Sequence, residues 1–367
     1  MSLKIALLPG DGIGPEVTAE AVRVLKSVGE HSGKAFTFTS HLIGGAAIDQ
    51  RGTGLPEDTL EACLGANAVL LGAVGDPKFD GRLPSERPEA ALLALRQALG
   101  GFANLRPAIC YAPLAKRTAF QPERVRGANL LIVRELLGGL YYGEPRGFEA
   151  SGDTAFNTLI YSRHEIERVA RVAFDRARER KQRLASIDKA NVLETSRLWR
   201  TVVSEIGEKE YPDVALEHVY IDTCAMRLAT SPTSFDVMLA DNLFGDILSD
   251  QAASVAGSLG LLPSATIGGR VGLYEPVHGS APDIAGKGLA NPIGAIASAA
   301  MLLRFTAGME REATDIEHAI EEALASGART KDLAAPGERV LSTQEMGQAI
   351  EEALAETRDR RHSYHAV

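Results

Sequence analysis

Residues 235–250 read Phe-Asp-Val-Met-Leu-Ala-Asp-Asn-Leu-Phe-Gly-Asp-Ile-Leu-Ser-Asp. The run Val237, Met238, Leu239, Ala240 is short and apolar, the pattern of a buried strand. Asp241 and Asn242 break it with residues that favour helix N-caps, and a helical pattern follows. On that helix Asp246 and Asp250 stand four apart, so both carboxylates project from one face. Two like charges at that spacing repel by about 0.2–0.5 kcal/mol unless a cation lies between them. Hard oxygen ligands on a rigid helix are what Mg2+ or Mn2+ selects. A solvated acidic face is the simpler account of an arbitrary Asp pair. Here the pair directly follows a buried strand, where α/β proteins place their ligands, and this favours the cation.

The chain around this stretch has 367 residues, enough for two domains with separate cores. A net charge of −9 argues against a nucleic-acid surface, so local arginines must overcome that field if the substrate is anionic. Cys63, Cys110 and Cys224 are scattered without metal-type spacing, which points to a reducing compartment. No signal peptide and no membrane-length apolar run is evident, so a soluble, cytoplasmic protein with no membrane partner is expected.

Upstream, residues 4–8 form a strand that leads into Pro9-Gly10-Asp11-Gly12-Ile13-Gly14-Pro15-Glu16 and a helix with Pro at its start. The glycine spacing is G-x-G-x-G, and the next strand, near 36–43, lacks the acidic residue that would hold a ribose. A Rossmann site is therefore not expected here. A buried strand over 66–71 precedes a helix beginning near Pro88, on which Glu89, Leu92, Leu93 and Arg96 share one face. A ligand carrying a branched alkyl group and carboxylates would satisfy all four. Equally, the leucines could pack inward while Glu89 and Arg96 flank them in solvent.

Arg106 and Arg134 lie at element ends, and guanidinium forks read carboxylates, so with Arg96 they hint at a polycarboxylate. Tyr141 lies in a glycine-rich stretch, either as a packing anchor or as an acid. Ser162 and Glu165 form a capping box that opens a helix to about Lys181. Lys189 follows the strand over 184–187, as a contact to an anion or as a base with a lowered pKa. Asp222 closes a strand over 215–221. Residues 269–292 read as a functional loop, helices follow over 292–305, 315–326 and 342–355, and residues 358–367 read as a frayed tail.

Taken in order, these motifs resemble the β-hydroxyacid oxidative decarboxylases, the isocitrate/isopropylmalate dehydrogenase family, and within it the isopropylmalate-oxidising branch. The match runs from about residue 3 to 355. The resemblance implies an α/β fold of two domains with a central mixed sheet, not a Rossmann fold. Residues 1–102 and 256–367 would form a discontinuous cofactor-binding domain, and 103–255 a substrate, metal and dimerisation domain, with the site in the cleft. It implies NAD, Mg2+ or Mn2+, and a homodimer in which the partner's Lys189 and Asp222 complete each site. Arg96, Arg106 and Arg134 would clamp the malate carboxylates, with Asn191 and Asp222 also at the substrate. Leu92, Leu93 and Val192 of the partner subunit would take the alkyl group beside Glu89. Asp222, Asp246 and Asp250 would hold the metal. Ile13, Glu275, His278, Gly279, Ser280, Ala281, Asp283, Ile284 and Asn291 would lie along NAD.

By the same resemblance Lys189 would help deprotonate the substrate hydroxyl and Tyr141 would protonate the enolate left by loss of CO2. The reaction implied is NAD-dependent conversion of 3-isopropylmalate to 4-methyl-2-oxopentanoate. Two departures stand out, Leu137 where Thr is common and Thr223-Cys224 where Asn-Ala is usual. Isocitrate, homoisocitrate and tartrate are rival substrates, which the Leu92-Leu93 pair disfavours. A non-catalytic regulatory subunit should have lost Tyr141, Lys189 or an aspartate, and this chain keeps them all.

Overall fold

The computed structural model describes residues 2–365. Its strands are β1 (Leu3–Gly10), β2 (Phe36–Ser40), β3 (Ala68–Ala73), β4 (Ala103–Ile109), β5 (Asn129–Glu135), β6 (Gly147–Phe148), β7 (Ala155–Phe156), β8 (Arg183–Asp188), β9 (Ala215–Tyr220), β10 (Val237–Ala240), β11 (Pro263–Ile267) and β12 (Gly272–Pro276). Its helices are α1 (Gly14–Ser32), α2 (Gly44–Arg51), α3 (Glu57–Gly65), α4 (Pro88–Leu99), α5 (Pro122–Val125), α6 (Arg163–Arg178), α7 (Glu194–Glu210), α8 (Ile221–Thr230), α9 (Asn242–Ala256), α10 (Ile293–Phe305), α11 (Glu310–Ala325) and α12 (Thr343–His365). The chain divides into two compact units. The first comprises Met1–Gly101, Tyr111–Thr118 and Ala256–Val367, and the second Phe102–Cys110 and Ala119–Val255.

In the first unit the strand order is β2-β1-β3-β12-β11, parallel except for β11 against β12. Helix α10 is buried on all sides from Ile293 to Leu303, as expected of a helix with no polar face. It packs on β11 and β12 together with α1, and α11 and α12 lie against α10 and α1 respectively. A separate cluster joins Leu8, Val69, Leu71 and Leu273 of the strands to Ala91, Leu95 and Leu99 of α4. In the second unit the order is β4-β5-β10-β8-β9, with only β4 antiparallel. Helices α6 and α7 pack together and against its strands. The capping box at Ser162 and Glu165 is formed, and the four residues of β10 are fully buried. Each unit is a mixed sheet covered by helices, with no Rossmann order.

Several sequence expectations shift. The stretch 269–292 is not one loop: β12 occupies its start, and only 277–292 is irregular. Asp222 does not end a strand but sits in the first turn of α8. Helix α11 starts at Glu310 rather than 315, and α12 runs on to His365. The tail expected to fray is held at Arg358, which is 9% exposed and donates to the Ser27 carbonyl at 3.2 Å. Residues 366–367 of that tail lie outside the described residues.

Asp241 caps α9 as its sequence position implies, accepting from the Phe244 N–H at 2.7 Å. Burial raises its carboxyl to about 7; the Phe244 N–H opposes this, the charge of Glu135 adds to it, and Arg134 opposes it. A proton held more tightly in the folded state stabilises the fold fully below the ordinary value of 3.8. That contribution is lost as pH rises through about 7. Asp241→Asn keeps an oxygen for Phe244 and removes the titration. Urea unfolding should show wild-type stability falling between those pH values by up to about 1.4 kcal/mol per pH unit. The Asn variant should be flatter, and equal slopes would assign the titration elsewhere.

Candidate active site

In the second unit the register of β4 against β5 sets two arginines side by side. Asn104 pairs with Arg134, and Arg106 lies two residues on, so all three side chains share one face of the sheet. Arg134 is 1% exposed and Arg106 7%, and a buried guanidinium needs an anion or full hydrogen bonding. Asp246 supplies the anion. Its Oδ1 accepts from Arg134 Nη1 at 2.5 Å and from Arg106 Nη1 at 3.2 Å, while its Oδ2 accepts from the Tyr141 hydroxyl at 2.8 Å. Ser249 Oγ and Asn104 Oδ1 also accept from Arg106, at 2.6 and 2.7 Å. Helix α9 can lie this close because residue 245 is glycine: a Cβ there would stand 2.7 Å from Arg134 Cγ.

Burial raises the Tyr141 phenol above its ordinary range, and the hydrogen bond to Asp246 adds to the shift while Arg134 and Arg106 oppose it. The phenol therefore stays a proton donor at neutral pH. Asp250 is exposed, yet partial desolvation and then the charge of Asp246 hold its carboxyl above the usual range. The like-charge repulsion read from the spacing is thus present on the helix face.

Lys189 ends in a separate ion pair. Its Nζ donates to Asp222 Oδ1 at 2.6 Å, which holds Asp222 below its ordinary pKa. The backbone turns tightly after β8, with Val192 and Leu193 N–H both donating to the Lys189 carbonyl at 2.9 Å. This leaves Asn191 and Val192 exposed, Val192 by 66%. Among the described residues no three carboxylate, His or Cys groups gather as a metal site within one chain. Asp246 and Asp250 share a face, and Asp222 pairs with Lys189. The departure at Thr223-Cys224 turns its thiol into the core, where burial raises it to about 12. Leu137, the other departure, is half-buried and gives its N–H to Glu135 Oε1 at 2.9 Å.

In the first unit α4 places Ala91, Leu95 and Leu99 in the core, with Leu92 packed against it, and presents an adjoining stripe. On that stripe Glu89 is exposed, Leu92 and Leu93 are half-buried, and Arg96 is buried against Glu275, Nη2 to Oε1 at 2.7 Å. The alternative, with leucines inward and both charges in water, is reversed for Arg96. The turn after β1 acts as a brace. Asp11, 7% exposed, accepts from the N–H groups of Gly45, Ala46 and Gly75, each at 2.8 Å. Ile13, 4% exposed, gives its N–H to the Ser280 carbonyl at 2.8 Å. Glu16 accepts from Gly286 and Gly288 N–H at 2.5 and 3.1 Å. Sequence reasoning quoted this turn but assigned nothing to Asp11 or Glu16. Acidic residues among glycines were the available signal.

The loop 277–292 carries most of the expected cofactor contacts. His278 is 9% exposed, its Nε2 is buried without a hydrogen-bond partner, and burial lowers its pKa. Gly279 faces open space where a Cβ would stand, and Ala281 adopts φ +40°, a strained value for a residue with a side chain. Backbone bonds from Ile284 to Ala281 and from Lys287 to Ile284 form the turn, and the Asp283 carboxylate takes no bond from any described residue. Asn291 is engaged within the chain, donating to Asp332 at 3.0 Å and accepting from Ile293 N–H at 3.0 Å.

The sequence matches the family described as isocitrate/isopropylmalate dehydrogenase over residues 4–350. A 3-isopropylmalate dehydrogenase of Moorella thermoacetica is 55% identical over 96% of this chain and 99% of its own. One of Geobacillus kaustophilus is 54% identical, over 96% and 95% respectively. A solved isocitrate dehydrogenase of Methylococcus capsulatus superposes with a TM-score of 0.86 at 38% identity, over 96% of this chain and 99% of that one. With two arginines and a tyrosine converging on one aspartate, and a family match across nearly its whole length, the chain belongs to the isocitrate/isopropylmalate dehydrogenase family.

Proposed function

We propose that this chain is an NAD-dependent decarboxylating dehydrogenase that converts 3-isopropylmalate to 4-methyl-2-oxopentanoate, CO2 and NADH in leucine biosynthesis. The observation that carries the substrate is α4. Leu92 and Leu93 remain half-exposed beside Glu89, although Leu92 also packs with one side against the core. Two apolar side chains on such a face fit a branched alkyl group, and the relatives at 54–55% identity are named for that substrate.

Arg106 and Arg134 fit the carboxylate clamp, because both guanidiniums already rest on a carboxylate, that of Asp246. Arg96 joins them in the proposal through exchange of its Glu275 partner. Asp246 and Asp250 fit a divalent cation by their hard donors and by a mutual repulsion that Arg106 and Arg134 offset only in part. The orphaned His278 Nε2, the open side of Gly279 and the unengaged Asp283 fit a dinucleotide, with Ile13, Glu275, Ser280, Ala281, Ile284 and Asn291 around it. We accordingly read the first unit as cofactor-binding and the second as substrate- and metal-binding. When bound, NAD accepts the hydride and the cation draws charge from the substrate oxygen.

The residues of the chain do the rest. Arg106 and Arg134 orient the malate carboxylates, releasing Asp246 to face the cation. Lys189 helps deprotonate the substrate hydroxyl by way of water, which carries the proton off, its ammonium charge stabilising the alkoxide as the carbon beneath it is oxidised. Loss of CO2 leaves an enolate, and the Tyr141 phenol, kept protonated by its surroundings, delivers the proton that forms the 2-oxo acid.

A homodimer with shared sites accounts for the separation of Lys189 and Asp222 from Asp246 and Asp250. Exposed Val192, Met226 and Ile247 give the second unit apolar surface for a second copy to cover. A cytoplasmic location accords with three free, buried cysteines and with the absence, among the described residues, of any helix long and apolar enough to cross a membrane.

NADH formation assayed on isopropylmalate, isocitrate, tartrate and malate tests the substrate: isopropylmalate should be preferred, and preference for another acid overturns the reading. Leu92→Ala should cost isopropylmalate about 1–3 kcal/mol in kcat/KM, with a much smaller loss on malate. An equal loss on both would make Leu92 a core residue only.

Lys189→Ala and Asp246→Asn subunits should each be inactive alone. Refolded together they should regain activity, because one site of the mixed dimer then collects both intact residues. Heterodimers without activity would place the lysine in its own subunit's site.

Asp283 should accept hydrogen bonds from the adenosine ribose and repel a 2′-phosphate. Steady-state kinetics should therefore favour NAD over NADP by at least about 100-fold in kcat/KM, or about 2.7 kcal/mol. The double change Asp283→Lys with Ile284→Tyr should shrink or reverse that ratio. Comparable use of both cofactors by wild type would overturn the role of Asp283.

A further inference from the structure

We infer that Asn242 is a positioning residue that sets Arg134 and Tyr141 in one geometry; the inference deepens the function proposed above and rests on it. Asn242 is 1% exposed at the start of α9. Its side-chain oxygen accepts from Arg134 Nη2 at 2.7 Å and from Nε at 3.1 Å. Its amide nitrogen donates to the carbonyls of Leu136 and Gly138, each at 3.1 Å. A primary amide has two lone pairs and two N–H bonds, so its whole capacity is used here. The orientation is fixed as well, since the flipped amide would set N–H against a guanidinium and oxygen against two carbonyls.

A second route holds the same segment. The backbone N–H of Asn242 donates to the Tyr161 hydroxyl at 2.9 Å, which itself donates to Glu135 Oε2 at 3.1 Å. Glu135, fully buried, accepts in turn from the N–H groups of Leu137 and Gly138 at 2.9 Å. Immediately beyond, Gly139–Tyr141 form a single 3-10 turn that begins with Gly139 at φ +73°. That turn delivers the Tyr141 hydroxyl to Asp246, and the Arg134 guanidinium lies 5.5 Å from the centre of the Tyr141 ring. One amide thus ties the group assigned to bind the substrate carboxylate to the segment that carries the proton donor. Asn242 itself acts only through those neighbours.

The two functions of the amide separate by substitution. Asn242→Asp keeps an acceptor for Arg134 but turns an oxygen toward the Leu136 and Gly138 carbonyls. Asn242→Ala loses both functions. With full-length enzyme, Mn2+, NAD and 3-isopropylmalate, Asn242→Asp should lower kcat at least about 10-fold with KM within about 2-fold of wild type. Asn242→Ala should lower kcat similarly and also raise KM at least about 5-fold. Mn2+ affinity of the free protein should hold, because Asp246 and Asp250 are intact.

A residue important only for folding would reduce the amount of folded enzyme and leave kcat and KM per folded site unchanged. That result, or wild-type parameters in both variants, overturns the inference. Should the Asp variant not fold, the Ala variant decides alone, by a joint change in kcat and KM or by none. Should wild type not oxidise isopropylmalate, the substrate reading falls, and the same comparison on malate, which carries the same two carboxylates, still decides the inference.

Discussion

Two guanidinium groups are buried, Arg106 in the middle of β4 and Arg134 near the end of β5, and Asp246 supplies their anion from a helix that reaches both. An isolated buried cation costs several kcal/mol, and the removal of one partner from a buried pair leaves that cost unpaid. The requirement explains much of the second unit. Gly245 lets α9 approach Arg134, Ser249 and Asn104 complete the bonds of Arg106, and Asn242 completes those of Arg134. It also sets both guanidiniums on a side-chain carboxylate. On the clamp role proposed for them, substrate binding would be an exchange of anions at preorganised donors, which limits the entropic cost.

The same arrangement reconciles an acidic chain with an acidic substrate. The net charge of −9 is a property of the whole surface, screened over roughly 10 Å at ordinary salt. At short range the fixed arginines dominate, and the surplus aspartates on α9 become an asset if a cation accompanies the substrate.

The first unit uses carboxylates for a different end. Asp11 accepts backbone N–H groups from residues 45, 46 and 75 and so fixes the turn after β1, while Glu16, with the Ile13 N–H on the Ser280 carbonyl, holds that turn against the loop that carries His278 and Asp283. A loop of sixteen irregular residues needs such anchors, because fixing each backbone residue costs about 1–2 kcal/mol of conformational entropy. Among the described residues none donates a hydrogen bond to the Asp283 carboxylate, in keeping with the ribose role proposed for it.

Local pattern determined the strand–cap–helix unit from Val237 to Asp250, the capping box at Ser162, the shared face of Glu89, Leu92, Leu93 and Arg96, and the like-charge pair on α9. Each depends on residues within a turn or two of one another, where periodicity and capping chemistry act directly. Motif resemblance carried the family. Tertiary structure alone decided that β4 runs against β5, so that Asn104, Arg106 and Arg134 share a face, and that β12 occupies the start of what reads as one loop. It alone matched Arg96 with Glu275, 179 residues away, and Asp11 with Gly75, 64 away. Strand pairing and the partners of buried polar groups depend on which distant segments fold together, and a linear sequence shows the donors and acceptors but not their distances. The amide of Asn242 falls on that side of the line: its position at the start of a helix was legible, while its four bonds exist only once β5 and α9 meet.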